Sequence, residues 1–414
     1  MKKEIKIGVF GLRRGSTLYK AILCNNGNIV AVCDRDEEKL SEARAELGRG
    51  VATYSDFDSL LNHPGLEAVY LCNSFHQHAE FAIKALERNV HVISECISNA
   101  TMAEGVALVR AARGSKAVYM LAENYPYLSF NREMSRIFKS GSLGSLVYAE
   151  GEYNHPIDPN DAETIKKLRP YDKHWRNFLP RSYYITHSLG PLMYITGAIP
   201  VRVSAMPVFS PEAPDMLMGL DVGDRAAFIT CLNNDNSVFR VTGCTAFGGH
   251  ECSYRICGVK GQVENLRDGT DRVLVNYNKW DTPIGQSPSI CYVPECDGED
   301  AKLLGLFGHG GSDFLIFREF FDCIRNNKQP FFDVYAATTM TSVAILAHRS
   351  ILRRGVPYDV PDFHNDDDLV KYEGDTLTPF YSEDGREPTL PCCSRPEFKP
   401  SPADREKYET IIKS

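Results

Sequence analysis

Ile5-Lys6-Ile7-Gly8-Val9-Phe10-Gly11-Leu12-Arg13-Arg14-Gly15 decides the reading of this chain. A β-branched run, Ile5–Phe10, ends in a glycine turn, and a helical pattern opens beyond it. That order leaves backbone N–H groups at a positive helix end, beside glycines with no Cβ to keep a phosphate away. The turn is a degenerate form of the Gly-x-Gly-x-x-Gly fingerprint: Gly11 fits, the second glycine is replaced, and the loop is one residue short. Asp34 adds the weight the glycines lack. It follows the second strand run, Ile29–Cys33, 23 residues after Gly11, where a carboxylate accepts hydrogen bonds from adenosine ribose hydroxyls. Strand, turn, helix and acid in this order predict a dinucleotide site at Gly11, Leu12, Arg13, Arg14 and Asp34. The alternative is a tight turn followed by a surface aspartate. The Asp34 charge repels a 2′-phosphate and so favours NAD, while Arg13, Arg14 and Arg35 leave NADP as the lesser alternative.

Working outward, Ala68–Cys72, Val90–Ser94 and Ala117–Leu121 repeat the strand pattern, with helical spacing between them. The alternation predicts a Rossmann-type, doubly wound parallel sheet over residues 1–124. Past residue 125 the pattern changes. Phe130, Met134, Ile137 and Phe138 mark one helix face, and Gly141–Gly144 stops that helix. Strand runs follow at Leu146–Tyr153, Val201–Pro207, Ala226–Leu232, Ser237–Thr242 and Tyr254–Gly258, joined by short turns. They predict a second α/β domain over 125–371 on an open, mainly antiparallel sheet, with helices near 313–326 and 335–353. The stretch Asp158–Leu179 reads as a polar, irregular loop, and residues 372–414 as an extended tail along a surface or a partner subunit.

Composition narrows the function classes. Among 414 residues, 46 Lys+Arg face 54 Asp+Glu, a net charge of −8, and no basic run is present to grip nucleic acid. No apolar stretch approaches the roughly 18 residues that span a bilayer. The chain enters its first strand without an apolar leader, so the expected location is the cytoplasm. Thirteen cysteines are scattered with no Cys-x-x-Cys; the tightest spacings are Cys252/Cys257, Cys291/Cys296 and Cys392-Cys393. Neither a metal site nor a disulfide framework is expected. An open sheet needs cover on its second face, which predicts a homodimer or homotetramer.

The Gly11 loop and Asp34 are joined by Asn73-Ser-Phe-His-Gln-His78, Glu95 ending Val90-His-Val-Ile-Ser-Glu, Gly258-Val-Lys-Gly261 and Pro357-Tyr-Asp-Val-Pro-Asp362. On these motifs the chain resembles the Gfo/Idh/MocA oxidoreductase family over nearly its whole length. The resemblance implies cofactor contacts at Asn73, His78, Glu95 and Asn124, and a second domain whose sheet often pairs subunits. One departure is informative. Where family dehydrogenases carry Glu-Lys-Pro, this chain has Glu95-Cys96-Ile97, and a thiol cannot replace the ammonium electrostatically. Glu123-Asn-Tyr-Pro-Tyr127, Tyr184-Ile-Thr-His187-Ser-Leu-Gly-Pro191 and Gly308-His-Gly-Gly-Ser-Asp-Phe314 are instead similar to the NAD-dependent glycoside hydrolases of family 109.

That likeness implies Glu95, Tyr127, Tyr184 and His187 at a sugar site. The residue chemistry is compatible. An imidazole with a reference pKa of about 6.5 suits acid/base work near neutrality, so His187 is the leading candidate; the alternative is a histidine capping a helix. Tyr184 shares its face if the stretch is one helical turn. Tyr127 follows a strand at the carboxyl edge of the first sheet, as a base or as a plug at the domain junction. His155, Trp175, Arg176 and His309 are expected to line the sugar, His309 in a glycine turn before a helix capped by Ser312 or Asp313. The implied reaction oxidises a glycoside transiently at C3, removes the C2 proton, expels the C1 group and reduces the ring again. The alternatives are a sugar or cyclitol dehydrogenase that releases a keto product, and a cofactor-binding sensor without turnover.

Overall fold

The computed structural model describes residues 3–211, 219–244, 246, 249–295, 303–382 and 384–413. The chain divides into two compact units, one of residues 1–128, 296–341 and 363–375, the other of 129–295, 342–362 and 376–414.

The first unit is built on six strands: β1 Ile5–Phe10, β2 Gly27–Cys33, β3 Ala52–Tyr54, β4 Ala68–Leu71, β5 His91–Ser94 and β6 Tyr119–Leu121. Their order is β3-β2-β1-β4-β5-β6, and every pairing is parallel. The strand order reverses between β1 and β4, which is where open α/β sheets place ligands. β4 is buried along its whole length, as expected of a strand covered on both faces. Helix starts follow their local chemistry. Asp36 caps Glu37–Leu47, and Thr101 with Glu104 closes a reciprocal capping box on Met102–Arg113.

The units depart from the expected division at residue 124, since residues 125–128, 296–341 and 363–375 also belong to the first unit. The helix Ser312–Asn326 forms as its periodicity predicts, but it joins the first unit's core. Phe314, Phe317, Phe320 and Phe321 pack with Ile5, Ile22 and Tyr70 in one buried cluster, and the Phe317 ring meets Tyr70 edge-on at 5.1 Å. Gly27 makes room for it, since a Cβ there would lie 2.6 Å from Phe321. The helix carries an aromatic stripe, and the nearest uncovered apolar surface belongs to the parallel sheet.

In the second unit nine strands form a single sheet: β7 Leu146–Asn154, β8 Pro200–Phe209, β9 Asp224–Asn233, β10 Val238–Gly243, β11 Glu251–Gly258, β12 Gly261–Asn265, β13 Val273–Tyr277, β14 Ser289–Tyr292 and β15 Tyr358–Asp359. The order is β14-β13-β12-β11-β7-β10-β9-β8-β15; only β7 with β10 is parallel. Helix Thr186–Thr196 lies so close to one face that a Cβ on Gly151 would stand 2.1 Å from the Ser188 carbonyl. The opposite face presents Met206 beside Phe228 (58% and 37% exposed) and a charged ladder in which Arg240 and Arg255 flank Glu150.

Two expectations are corrected here. Asp158–Leu179 is not irregular throughout: Asp161 caps a helix, Ala162–Leu168, and a 3₁₀ turn follows at Trp175–Phe178. The tail is not wholly extended. It ends in a helix, Pro402–Lys413, and before that Ser394 donates its backbone N–H to Asp224 while His348 meets the Pro391 carbonyl at 2.7 Å. Burial holds the His348 imidazole down at about 4, so it donates as a neutral ring. Every described cysteine is a free thiol; Cys296 lies outside the described residues.

Candidate functional site

Gly11 sits at φ +90°, a conformation that L side chains rarely adopt, with the ends of β1 and β4 nearly touching. A Cβ there would fall 2.5 Å from the Cys72 carbonyl and 2.6 Å from the Asn73 nitrogen. Gly15, one helical turn on, allows the helix to lie against β1, since its Cβ would be 2.6 Å from Val9. The two glycines therefore do the work of the fingerprint's first and third positions. Asp34 braces the loop: one carboxylate oxygen accepts from the Leu12 N–H at 2.7 Å, the other from the Asp36 N–H at 3.0 Å. This corrects the reading of Leu12, whose N–H is committed to Asp34 and not left over for a phosphate. Arg13 is exposed at the rim.

The polar groups around this loop test its fit to a dinucleotide. Both side-chain amide atoms of Asn73 are buried without a hydrogen-bond partner, at the strand end that Gly11 touches. The Asn124 amide oxygen is likewise unpartnered. Burying such atoms unpaired costs about 1–3 kcal/mol each, and a polar ligand would remove that cost. The cradle fits the cofactor. His78, at 2% exposure, contacts the Ile97 carbonyl at 2.9 Å and the Asn73 carbonyl at 3.3 Å, and burial lowers its pKa. It shapes the Asn73 loop and carries no charge to offer.

Glu95, Arg14, Asp313, Asn124 and His309 form one network in this unit. Tyr70 donates to Glu95 at 2.5 Å; Arg14 reaches Glu95 at 3.1 Å and Asp313 at 3.3 Å. Asn124 donates to Asp313 at 2.9 Å, and the His309 ring meets the other Asp313 oxygen at 3.0 Å. Burial alone would push the Asp313 carboxyl up, but the His309 hydrogen bond and the Arg14 charge outweigh it and hold the group at about 2. Arg14 is thus held by two carboxylates, where the sequence suggested a phosphate partner. Asp313 does not cap its helix, nor does Ser312; the N-cap is Gly311, in the left-handed region. Cys96, in the lysine position, contacts Glu123 at 3.4 Å.

Tyr127 lies in the first unit. It is 6% exposed in the sheet–helix core, and its hydroxyl donates to Glu319 on the helix Ser312–Asn326. Glu319 also accepts the Phe331 N–H at 3.1 Å. The Tyr127 hydroxyl thus ties the segment after the first sheet to the helix Ser312–Asn326.

The second unit holds an aromatic and imidazole cluster. The His187 ring meets Tyr153 edge-on at 5.0 Å and Tyr184 at 5.5 Å, and the two tyrosines stack at 6.0 Å. His155 and His250 face each other with Nδ1 atoms 2.8 Å apart, both against Tyr153. The Arg176 guanidinium lies over Trp175 at 4.6 Å and Tyr184 at 5.7 Å, and one of its terminal nitrogens is buried without a partner. His187 is the second residue of its helix and makes no cap, which removes the alternative reading. Tyr254 donates to its carbonyl at 2.5 Å. Tyr153 and His250 were not singled out from the sequence; alternation along β7 points Tyr153 to the face that carries His187, and His250 lies just before β11. Among the described residues no group of three His, Cys, Asp or Glu side chains is arranged to hold a metal ion.

Residues 5–123 match the NAD-binding Rossmann fold of the Gfo/Idh/MocA oxidoreductase family, and residues 301–367 match the C-terminal domain of glycosyl hydrolase 109. A glycosyl hydrolase family 109 protein of Streptomyces niveus is 25% identical over 394 residues, covering 87% of this chain and 78% of its own length. An alpha-N-acetylgalactosaminidase of Shewanella oneidensis is 23% identical, covering 87% and 85%. Among solved structures, levoglucosan dehydrogenase with NADH and levoglucosan superposes with a TM-score of 0.71 at 17% identity, over 87% of this chain and all of that one (100%). Residues 5–123 thus carry the NAD-binding Rossmann fold of the Gfo/Idh/MocA oxidoreductases, and residues 301–367 are similar to the C-terminal domain of glycosyl hydrolase 109.

Proposed function

We propose that this chain is an NAD-dependent glycoside hydrolase. The observation that carries the reading is the presence, on one chain, of an NAD-binding Rossmann match and a glycosyl hydrolase 109 C-terminal match. Gly11, Asp34, Asn73 and Asn124 hold the cofactor: the glycine by close approach, Asp34 at the ribose, the two amides through their unpartnered atoms. When bound, NAD accepts a hydride from a sugar carbon and returns it, so that none is consumed. A ketone at C3 makes the C2 proton acidic. His187, steered by the Tyr153 and Tyr184 rings, takes that proton and exchanges it with solvent, the C1 substituent departs with its bonding electrons and picks up a proton, and water adds at C1 as a solvent-derived proton is delivered to C2. His155, Trp175 and Arg176 bind the sugar through ring faces and the guanidinium. This chemistry needs one base and a redox cofactor, not the paired carboxylates of ordinary glycosidases. His309 belongs to the Asp313 network and orients Asn124 through it.

The protein works in the cytoplasm as a homo-oligomer, and the exposed Met206–Phe228 sheet face supports self-association. No described helix is long and apolar enough to cross a membrane. A panel of glycosides with and without added NAD, read for aglycone and for NADH, tests the function. Aglycone release without net NADH is expected. Stoichiometric NADH with a keto product would make the protein a sugar or cyclitol dehydrogenase, and neither signal would leave a sensor.

A further inference from the structure

The C-terminal helix Pro402–Lys413 packs on the segment that carries Trp175 and Arg176. Ile165, Tyr408 and Ile411 form a separate small core, buried to 0%, 3% and 8% exposure. The Tyr408 hydroxyl donates to the Arg169 carbonyl at 2.9 Å and accepts from the Asn177 amide at 3.0 Å. Asn177 is the hub. Its amide also donates to the Asp172 and Tyr171 carbonyls at 2.7 and 3.1 Å, and its oxygen accepts from Arg169 at 3.1 Å. The Arg169 guanidinium in turn lies over the Tyr408 ring at 4.6 Å. Asn177 directly follows Arg176 in the 3₁₀ turn Trp175–Phe178, and Gly219 fixes the turn's other side by donating its N–H to the Arg176 carbonyl at 2.9 Å. Two further ties, Arg405 to Asp221 at 2.9 Å and Lys407 to Asn160 at 2.9 Å, hold the helix to this unit.

We propose that the C-terminal helix is a working part of the sugar-binding segment, with Tyr408 and Asn177 as positioning residues that set the Trp175–Arg176 turn. The physical reason is that a short 3₁₀ turn has few hydrogen bonds of its own and wanders unless it is held from outside. Here the outside support comes from residues more than two hundred positions later in the chain. The inference rests on the sugar-binding role proposed above for Trp175 and Arg176.

The chain contains two tryptophans, and Trp280 is 84% exposed, so Trp280→Phe leaves Trp175 as a single fluorescent reporter of this turn. In that background Tyr408→Phe keeps the ring over Arg169 and removes only the hydroxyl. Acrylamide quenching of Trp175 is expected to rise, and KM for the glycoside to rise about 3- to 10-fold, the value of one hydrogen bond, with kcat and NAD affinity little changed. Glu409→Gln, an exposed change on the same helix, should move neither readout. Unchanged quenching in Tyr408→Phe overturns the proposal, and so does raised quenching with KM unaltered, since the tie would then be structural alone. If Trp175→Ala and Arg176→Ala themselves leave KM unaltered, the sugar reading has failed, while the quenching result still reports on the tie.

Discussion

Asp34 accepts the Leu12 N–H at 2.7 Å, and in the function proposed above the same carboxylate also meets the adenosine ribose. Asp34→Ala should weaken NAD binding by about 1–3 kcal/mol, measured by calorimetry; equal affinity in variant and parent would remove Asp34 from the site. His187 answers to a different measurement. Hydrolysis in D₂O should place deuterium at C2 of the released sugar while C3 keeps its hydrogen. His187→Ala should slow turnover by about 10²–10⁴-fold with NAD affinity kept. A product with no deuterium at C2 rules out elimination. Tyr127→Phe is expected to behave in the opposite way, because its hydroxyl serves Glu319. Denaturant titration should show a loss of about 1.5–3 kcal/mol, with turnover per folded molecule preserved. A large fall in turnover at unchanged stability would return Tyr127 to the catalytic set.

At the scale of elements, the helix Ser312–Asn326 is joined to the nucleotide loop by charge as well as by its aromatic stripe. Asp313, on its first turn, is held at about 2 against an ordinary 3.8. A carboxyl depressed in the folded state stabilises above its unfolded pKa and loses that contribution as pH falls through the folded one. The window is therefore about pH 4 down to 2, and the contribution is about 2 kcal/mol at neutral pH. Asp313→Asn should lower stability at pH 7 and flatten the acid-unfolding curve within that window, as read by circular dichroism. A variant curve parallel to the parent's would show that Asp313 is not the group being titrated. The periodicity of this helix was plain from its sequence. Its destination was not, because an aromatic stripe says that a face is buried without saying against what.

For the whole molecule, the outer face of the nine-stranded sheet carries the prediction of self-association. Met206 and Phe228 are opposite one another on β8 and β9, exposed, and next to a ladder of paired charges that a second copy could meet in register. Light scattering should report a dimer or tetramer, and Met206→Lys with Phe228→Glu should shift it toward 46.3 kDa without loss of fold. A parent chain that runs as 46.3 kDa over a wide concentration range would end this reading.

The order of strand, glycine turn and helix was enough to predict the parallel sheet and its Gly11 turn, and strand runs joined by short turns were enough for the mainly antiparallel second sheet. Each depends on residues close in sequence: a two-residue or 3.6-residue period, a glycine where the backbone turns. Tertiary structure alone decided the rest. It assigned Tyr127 to Glu319, Arg14 to two carboxylates, residues 312–326 to the parallel sheet, and Tyr408 to Asn177. These partners lie tens to hundreds of positions apart, and a side chain's spacing along the chain carries no information about a group so distant. What a phenol or guanidinium does depends on which buried partner reaches it first, and only the packed chain brings them together.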